Sequence, residues 1–67
     1  MEREPVTSET IAEIGYQDAT LEILFTSGAV YQYFDVPGVV YDELMRADSH
    51  GRFFNEHVRG RFRYARV

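Results

Sequence analysis

The sequence predicts an α+β fold: a three-stranded antiparallel meander followed by two short helices, with a C-terminal segment open to a fourth strand. Three observations carry this. Apolar and polar residues alternate with a period of two in three successive stretches between residues 10 and 34. From residue 38 onward the period changes to that of a helix. The length of 67 residues, with 45% apolar content that includes 5 Phe and 5 Tyr, supports one small core and one domain spanning 1–67.

Residues 1–6 read as a ragged lead-in, because Pro5 cannot donate to a ladder and no alternation has begun. Residues 10–16 alternate, with Ala12, Ile14 and Tyr16 on one face and Ile11, Glu13 and Gly15 on the other. Gln17, Asp18 and Ala19 form a short polar turn. Residues 20–26 set Leu21, Ile23 and Phe25 against Thr20, Glu22, Leu24 and Thr26, the clearest strand in the chain. Ser27-Gly28 reads as a two-residue hairpin turn. Residues 29–34 form the third strand, with Tyr31 and Tyr33 on one face. Connections this short leave no room for a parallel crossover.

Asp35 stands where a helix cap is wanted, and Pro37 suits a first helical turn. Residues 38–47 then place Val40, Leu44 and Ala47 on one stripe. Ser49 is positioned to cap a second helix over 51–59, which Gly60 ends. Beyond it, Phe62 and Tyr64 alternate with Arg61 and Arg63, which favours a strand, while Phe54, Val58 and Phe62 also keep a helical register.

Several function classes are excluded at this level. No apolar run approaches the roughly 18 residues of a membrane helix, so no membrane association is expected. The acidic start lacks the features of a signal peptide, and the chain has no Cys, so the cytoplasm is the expected compartment. His50 and His57 are the only histidines, which gives too few ligands for a metal site. The five glycines sit singly at element boundaries, with no phosphate loop, so no cofactor is expected. Neither a nucleophile with its base nor a spaced carboxylate pair stands out, and no enzyme is expected.

Charge is unevenly divided. All 7 cations are Arg. Residues 1–45 hold nine acids against Arg3, a local charge of −8; residues 46–67 hold six Arg against Asp48 and Glu56, a local charge of +4, within a net −4. The overall acidity opposes indiscriminate polyanion binding, and the split permits a local basic patch. Arg52, Arg59, Arg61, Arg63 and Arg66 form that patch. If Arg61 and Arg63 lie on a strand they share a face, with Arg59 and Arg66 flanking, a stripe fit to follow a phosphate backbone. Read instead as structure, the same stripe protects a sheet edge or pairs with the acidic first half. Tyr31 and Tyr33 stack bases if their face is open, and pack under a helix if it is not.

Five segments together resemble the KTSC domain: Thr7-Ser8 leading to Ile14-Gly15-Tyr16; Leu21-Glu22-Ile23-Leu24-Phe25 with Gly28; Val30-Tyr31-Gln32-Tyr33; Asp35-Val36-Pro37; and Ala47-Asp48-Ser49-His50-Gly51 before Phe53-Phe54-Asn55. The resemblance covers roughly residues 6–64. That domain takes its name from the C-terminus of some lysyl-tRNA synthetases and also occurs as small stand-alone bacterial proteins. The resemblance implies RNA binding through the synthetase context, places any role of its Tyr-x-Tyr centre on Tyr31 and Tyr33, and implies no catalytic set.

The leading expectation is therefore a non-enzymatic nucleic-acid-binding module, for RNA or another single strand. Arg59, Arg61, Arg63 and Arg66 hold phosphates, Arg52 assists, and Tyr31 and Tyr33 stack bases. The alternative is a protein-interaction module that uses the sheet edge or the aromatic face, and self-association through an open edge stays compatible with either.

Overall fold

The computed structural model describes all 67 residues as one antiparallel sheet with two helices on one face. Its strands run β1 (Arg3–Pro5), β2 (Ile11–Gln17), β3 (Thr20–Phe25), β4 (Val30–Tyr33) and β5 (Tyr64–Arg66), and they neighbour one another in chain order. The helices α1 (Gly38–Arg46) and α2 (His50–His57) lie between β4 and β5 in the chain. The meander, both helices and the C-terminal strand thus form as the periodicities indicate. No helix is long and apolar enough to cross a membrane.

The lead-in is corrected. Residues 3–5 form an edge strand whose Glu4 pairs with Ile14. Gly15 makes this approach feasible: a Cβ there would lie 2.6 Å from the Glu2 carbonyl oxygen. Pro5 is tolerated because an edge strand needs no donor on its outer side. Arg3 ties the strand down by donating to Glu13 at 2.9 Å and to Glu22 at 2.8 Å. Those hydrogen bonds, Glu13 first, hold its guanidinium above its usual range. Glu22 is buried on the sheet face away from the helices, where Gln32 donates to its second oxygen at 2.8 Å. Both carboxylate oxygens are satisfied, as burial of a charge requires.

The alternation assigned to β2 is also corrected. Ile11 and Ile14 are both fully buried although an odd spacing puts them on opposite faces of a regular strand. A bulge between Ile11 and Glu13 inserts one residue and returns Ile11 to the core side. The β2–β3 turn is two residues long, with Asp18 at φ 51° and Ala19 at φ 63°. Two left-handed residues give the turn twist that suits a hairpin.

The β3–β4 turn is one residue longer than expected. Phe25 donates to the Ala29 carbonyl at 2.9 Å, which leaves residues 26–28 as the loop, and Gly28 closes it at φ 98°. Tyr31 therefore stands opposite Ile23, and Tyr33 opposite Leu21, on the core side.

Asp35 does not cap α1. It sits at φ 58° and turns the chain, and the N-cap residue is Pro37 with no side-chain hydrogen bond. Ser49 does cap α2, accepting from the Arg52 amide at 3.2 Å. Gly60 takes φ 75° just past that helix. The core is Ile11, Ile14, Leu21, Ile23, Tyr33, Val36, Leu44, Phe54 and Val58. Each such burial contributes about 1.5–3 kcal/mol. Together they clamp α2 against β3 and β4 and so fix the ground on which the arginines stand.

Candidate functional site

The helices cover the sheet face that carries Tyr31 and Tyr33, so the two rings do not form an open stacking platform. Tyr33 is 6% exposed, with Phe54 of α2 edge-on at 5.3 Å. Burial, followed by the nearby Tyr31, pushes its phenol up, and the positive charge of Arg59 works against this. Tyr33 therefore offers a base no open ring face. Tyr31 is half-buried; it meets Phe25 edge-on at 5.9 Å and Tyr64 at 5.9 Å.

What the elements build is a hollow of about 570 Å³ between α2 and the β4–β5 edge. Phe25, Tyr31, Tyr33, Phe54 and Tyr64 form its aromatic wall, and Arg59 stands on its rim. Tyr64 is 62% exposed and lies 5.8 Å from Tyr33. The sequence reading passed over it as a site residue. The signal was available: its alternation with Arg63 predicts a strand, and pairing with β4 puts it beside Tyr33.

The arginines separate into different settings. Arg61 and Arg63 precede β5, so the two-residue stripe expected of them on a strand does not form. Arg63 donates to Asp35 at 2.7 Å and lies 5.7 Å from the Phe34 ring centre, so it is already engaged. Arg66 is on β5 opposite Tyr31, with its guanidinium carbon 6.0 Å from that ring centre. Arg52, Arg59, Arg61 and Arg66 make no ion pair with any carboxylate of the chain.

Two further hollows adjoin the aromatic one. Arg61 and Arg63 line a shallow one of about 550 Å³ that shares Gly60 and Tyr64 with it. On its other side, Thr10 and Asn55 are shared with a polar hollow of about 920 Å³, which Arg52 lines together with Ser8, Ser49 and His50. His50 donates from Nδ1 to the Leu44 carbonyl at 2.9 Å. No group of three or more His, Cys, Asp or Glu is placed to hold a metal ion. Linked by these shared lining residues, the three hollows make up a trough: polar, then aromatic, then basic.

Four of the five segments that carry the family resemblance contribute residues to these hollows, and Asp35-Val36-Pro37 does not. Thr7-Ser8 and Ser49-His50-Gly51 form the polar hollow, and Tyr31, Tyr33 and Phe54 the aromatic one. The comparisons agree. A model of the KTSC domain matches residues 7–62, a span that includes Arg59 and Arg61 and stops short of β5. A protein of Tsukamurella paurometabola is 47% identical over 62 residues, which cover 90% of this chain and 92% of that one. A lysine–tRNA ligase of Trichormus variabilis is 41% identical over 59 residues. These are 85% of this chain and only 10% of the ligase. The crystal structure of a KTSC domain protein from Yersinia pestis superimposes with a TM-score of 0.95 at 40% identity, covering 98% of this chain and 96% of that one. On residues, fold and relatives alike, the chain belongs to the KTSC domain family.

Proposed function

We propose that this chain is a non-enzymatic module that binds single-stranded nucleic acid, RNA in particular, with its phosphates along the aromatic and basic hollows. The observation that carries the reading is the aromatic hollow rimmed by Arg59, with the unpaired Arg61 and Arg66 close to its walls. An unpaired base offers a flat face to Tyr31 and Tyr64, and guanidinium groups on either side meet its phosphates. That the same region occurs within enzymes named lysine–tRNA ligases adds support from context.

The test is the anisotropy of a labelled RNA nine-mer titrated with the protein at several salt concentrations. Three phosphate contacts, from Arg59, Arg61 and Arg66, give a log–log affinity slope of about −2 on a single strand. A slope near zero, or no binding at low salt, overturns the reading. A second reading draws on β5, an edge strand whose three residues are all exposed and which is open to an added peptide strand. It predicts capture of one stoichiometric protein partner that survives nuclease treatment.

A further inference from the structure

The polar hollow differs from the rest of the trough in its chemistry. None of its lining side chains is hydrophobic, and it has none of the Phe and Tyr rings that wall the aromatic hollow. Glu9, Asp48 and Glu56 line it against the single cation Arg52, a local charge of −2, so it repels a phosphate. What it does offer is hydroxyl and carboxylate groups. The Ser8 oxygen accepts from the amides of Thr10 and Ile11, both at 3.3 Å. The Ser49 oxygen accepts from the Arg52 amide at 3.2 Å. With those lone pairs engaged, each hydroxyl hydrogen is left to donate outward. The carboxylates accept, and the Asn55 amide does both.

Such a lining suits a neutral polyol, since each sugar hydroxyl both donates and accepts. A carboxylate receiving a sugar O–H makes the stronger, charge-assisted kind of hydrogen bond. The hollow also touches the aromatic one directly, through Thr10 and Asn55. We infer that the polar hollow is a ribose subsite that recognises the 2′-hydroxyl next to a base seated in the aromatic hollow, and so makes the module prefer RNA to DNA. The inference rests on the nucleic-acid reading above and assigns the sugar discrimination to a separate set of residues.

Binding of one nine-mer sequence, made as RNA, DNA and 2′-O-methyl RNA, tests this with the full chain. The wild type is expected to bind RNA about tenfold more tightly than DNA, the size of one hydrogen bond to a charged group. The 2′-O-methyl strand, which cannot donate, is expected to bind like DNA. Glu9 and Asp48 line the polar hollow and not the aromatic one, are exposed and form no ion pair, so Glu9→Ala and Asp48→Ala leave the fold intact. Together they are expected to bring the ratio of RNA to DNA affinity down to about one, because the change in net charge acts on both strands alike while the acceptor for the 2′-hydroxyl is lost. Equal RNA and DNA affinities in the wild type overturn the ribose subsite while the nucleic-acid reading stands. A preference for RNA that survives both substitutions moves the discrimination elsewhere and overturns it too. Failure of all three strands to bind at low salt removes both.

Discussion

Ala19 shows how much a single backbone angle costs this molecule. At φ 63° it occupies the left-handed region, where a Cβ crowds the following carbonyl at about 1–2 kcal/mol. Asp18 beside it, at φ 51°, is of a type that tolerates that region better. The strain persists because the turn is held from outside: the buried Val36 donates its amide to the Ala19 carbonyl at 2.9 Å. Ala19→Gly removes the crowding and gives back part of the gain as unfolded-chain entropy. The expected result is a net stabilisation of about 0.5–1 kcal/mol, read as a Tm rise of roughly 4 °C in a thermal melt. The side chain is exposed, so no lost packing masks the effect. A Tm that stays level or falls contradicts this account of the turn. Asp35 also sits in the left-handed region, at φ 58°. In the sequence its side chain reads as a helix cap, because a cap and a turn draw on the same residue types and only the backbone angle tells them apart.

At the scale of elements, one residue of loop decides the character of the site. A two-residue Ser27-Gly28 turn sets Tyr31 opposite Leu24 and Tyr33 opposite Glu22, on the face away from the helices. The observed loop of residues 26–28 slips the pairing by one, to Ile23 and Leu21, and turns both rings toward α2. Alternation in the sequence shows that the two tyrosines share a face; register alone shows which. The same limit explains Ile11, since a bulge leaves no mark on composition. The strands β2 to β4, the cap at Ser49 and the stop at Gly60 were legible because each depends on residues close in sequence. Strand β1 was not: three residues carry no period, and its partner site is the absent side chain of Gly15. Gly15→Ala places a methyl against the Glu2 carbonyl and is expected to cost about 1–3 kcal/mol by pushing the strand away. Deleting residues 1–5 should destabilise the wild type but change the Gly15→Ala variant far less. Denaturant melts of the four proteins measure that coupling, and additive losses mean that β1 is not what Gly15 accommodates.

Across the whole molecule, charge separation is the feature that function has to work with. The acidic first two-thirds could have neutralised the Arg-rich end, yet only Arg63 of the five is tied, to Asp35. This pair is 76% and 79% exposed, so breaking it costs little stability, at most about 1 kcal/mol. Its effect on binding is expected to be larger. Asp35→Asn releases Arg63 beside Arg61 in the basic hollow and adds a fourth guanidinium to the phosphate contacts of Arg59, Arg61 and Arg66. RNA affinity should then rise, and the salt slope should steepen from about −2 toward about −3, one further phosphate contact. Arg63→Ala should leave the slope near its wild-type value, because the group it removes was already engaged. Glu43→Gln, an exposed acid on α1 in no ion pair, controls for the change in net charge. If Glu43→Gln steepens the slope as much as Asp35→Asn does, affinity follows the overall field and not the placement of these guanidinium groups. If Asp35→Asn alone does so, the carboxylate sets how many phosphates the trough can hold.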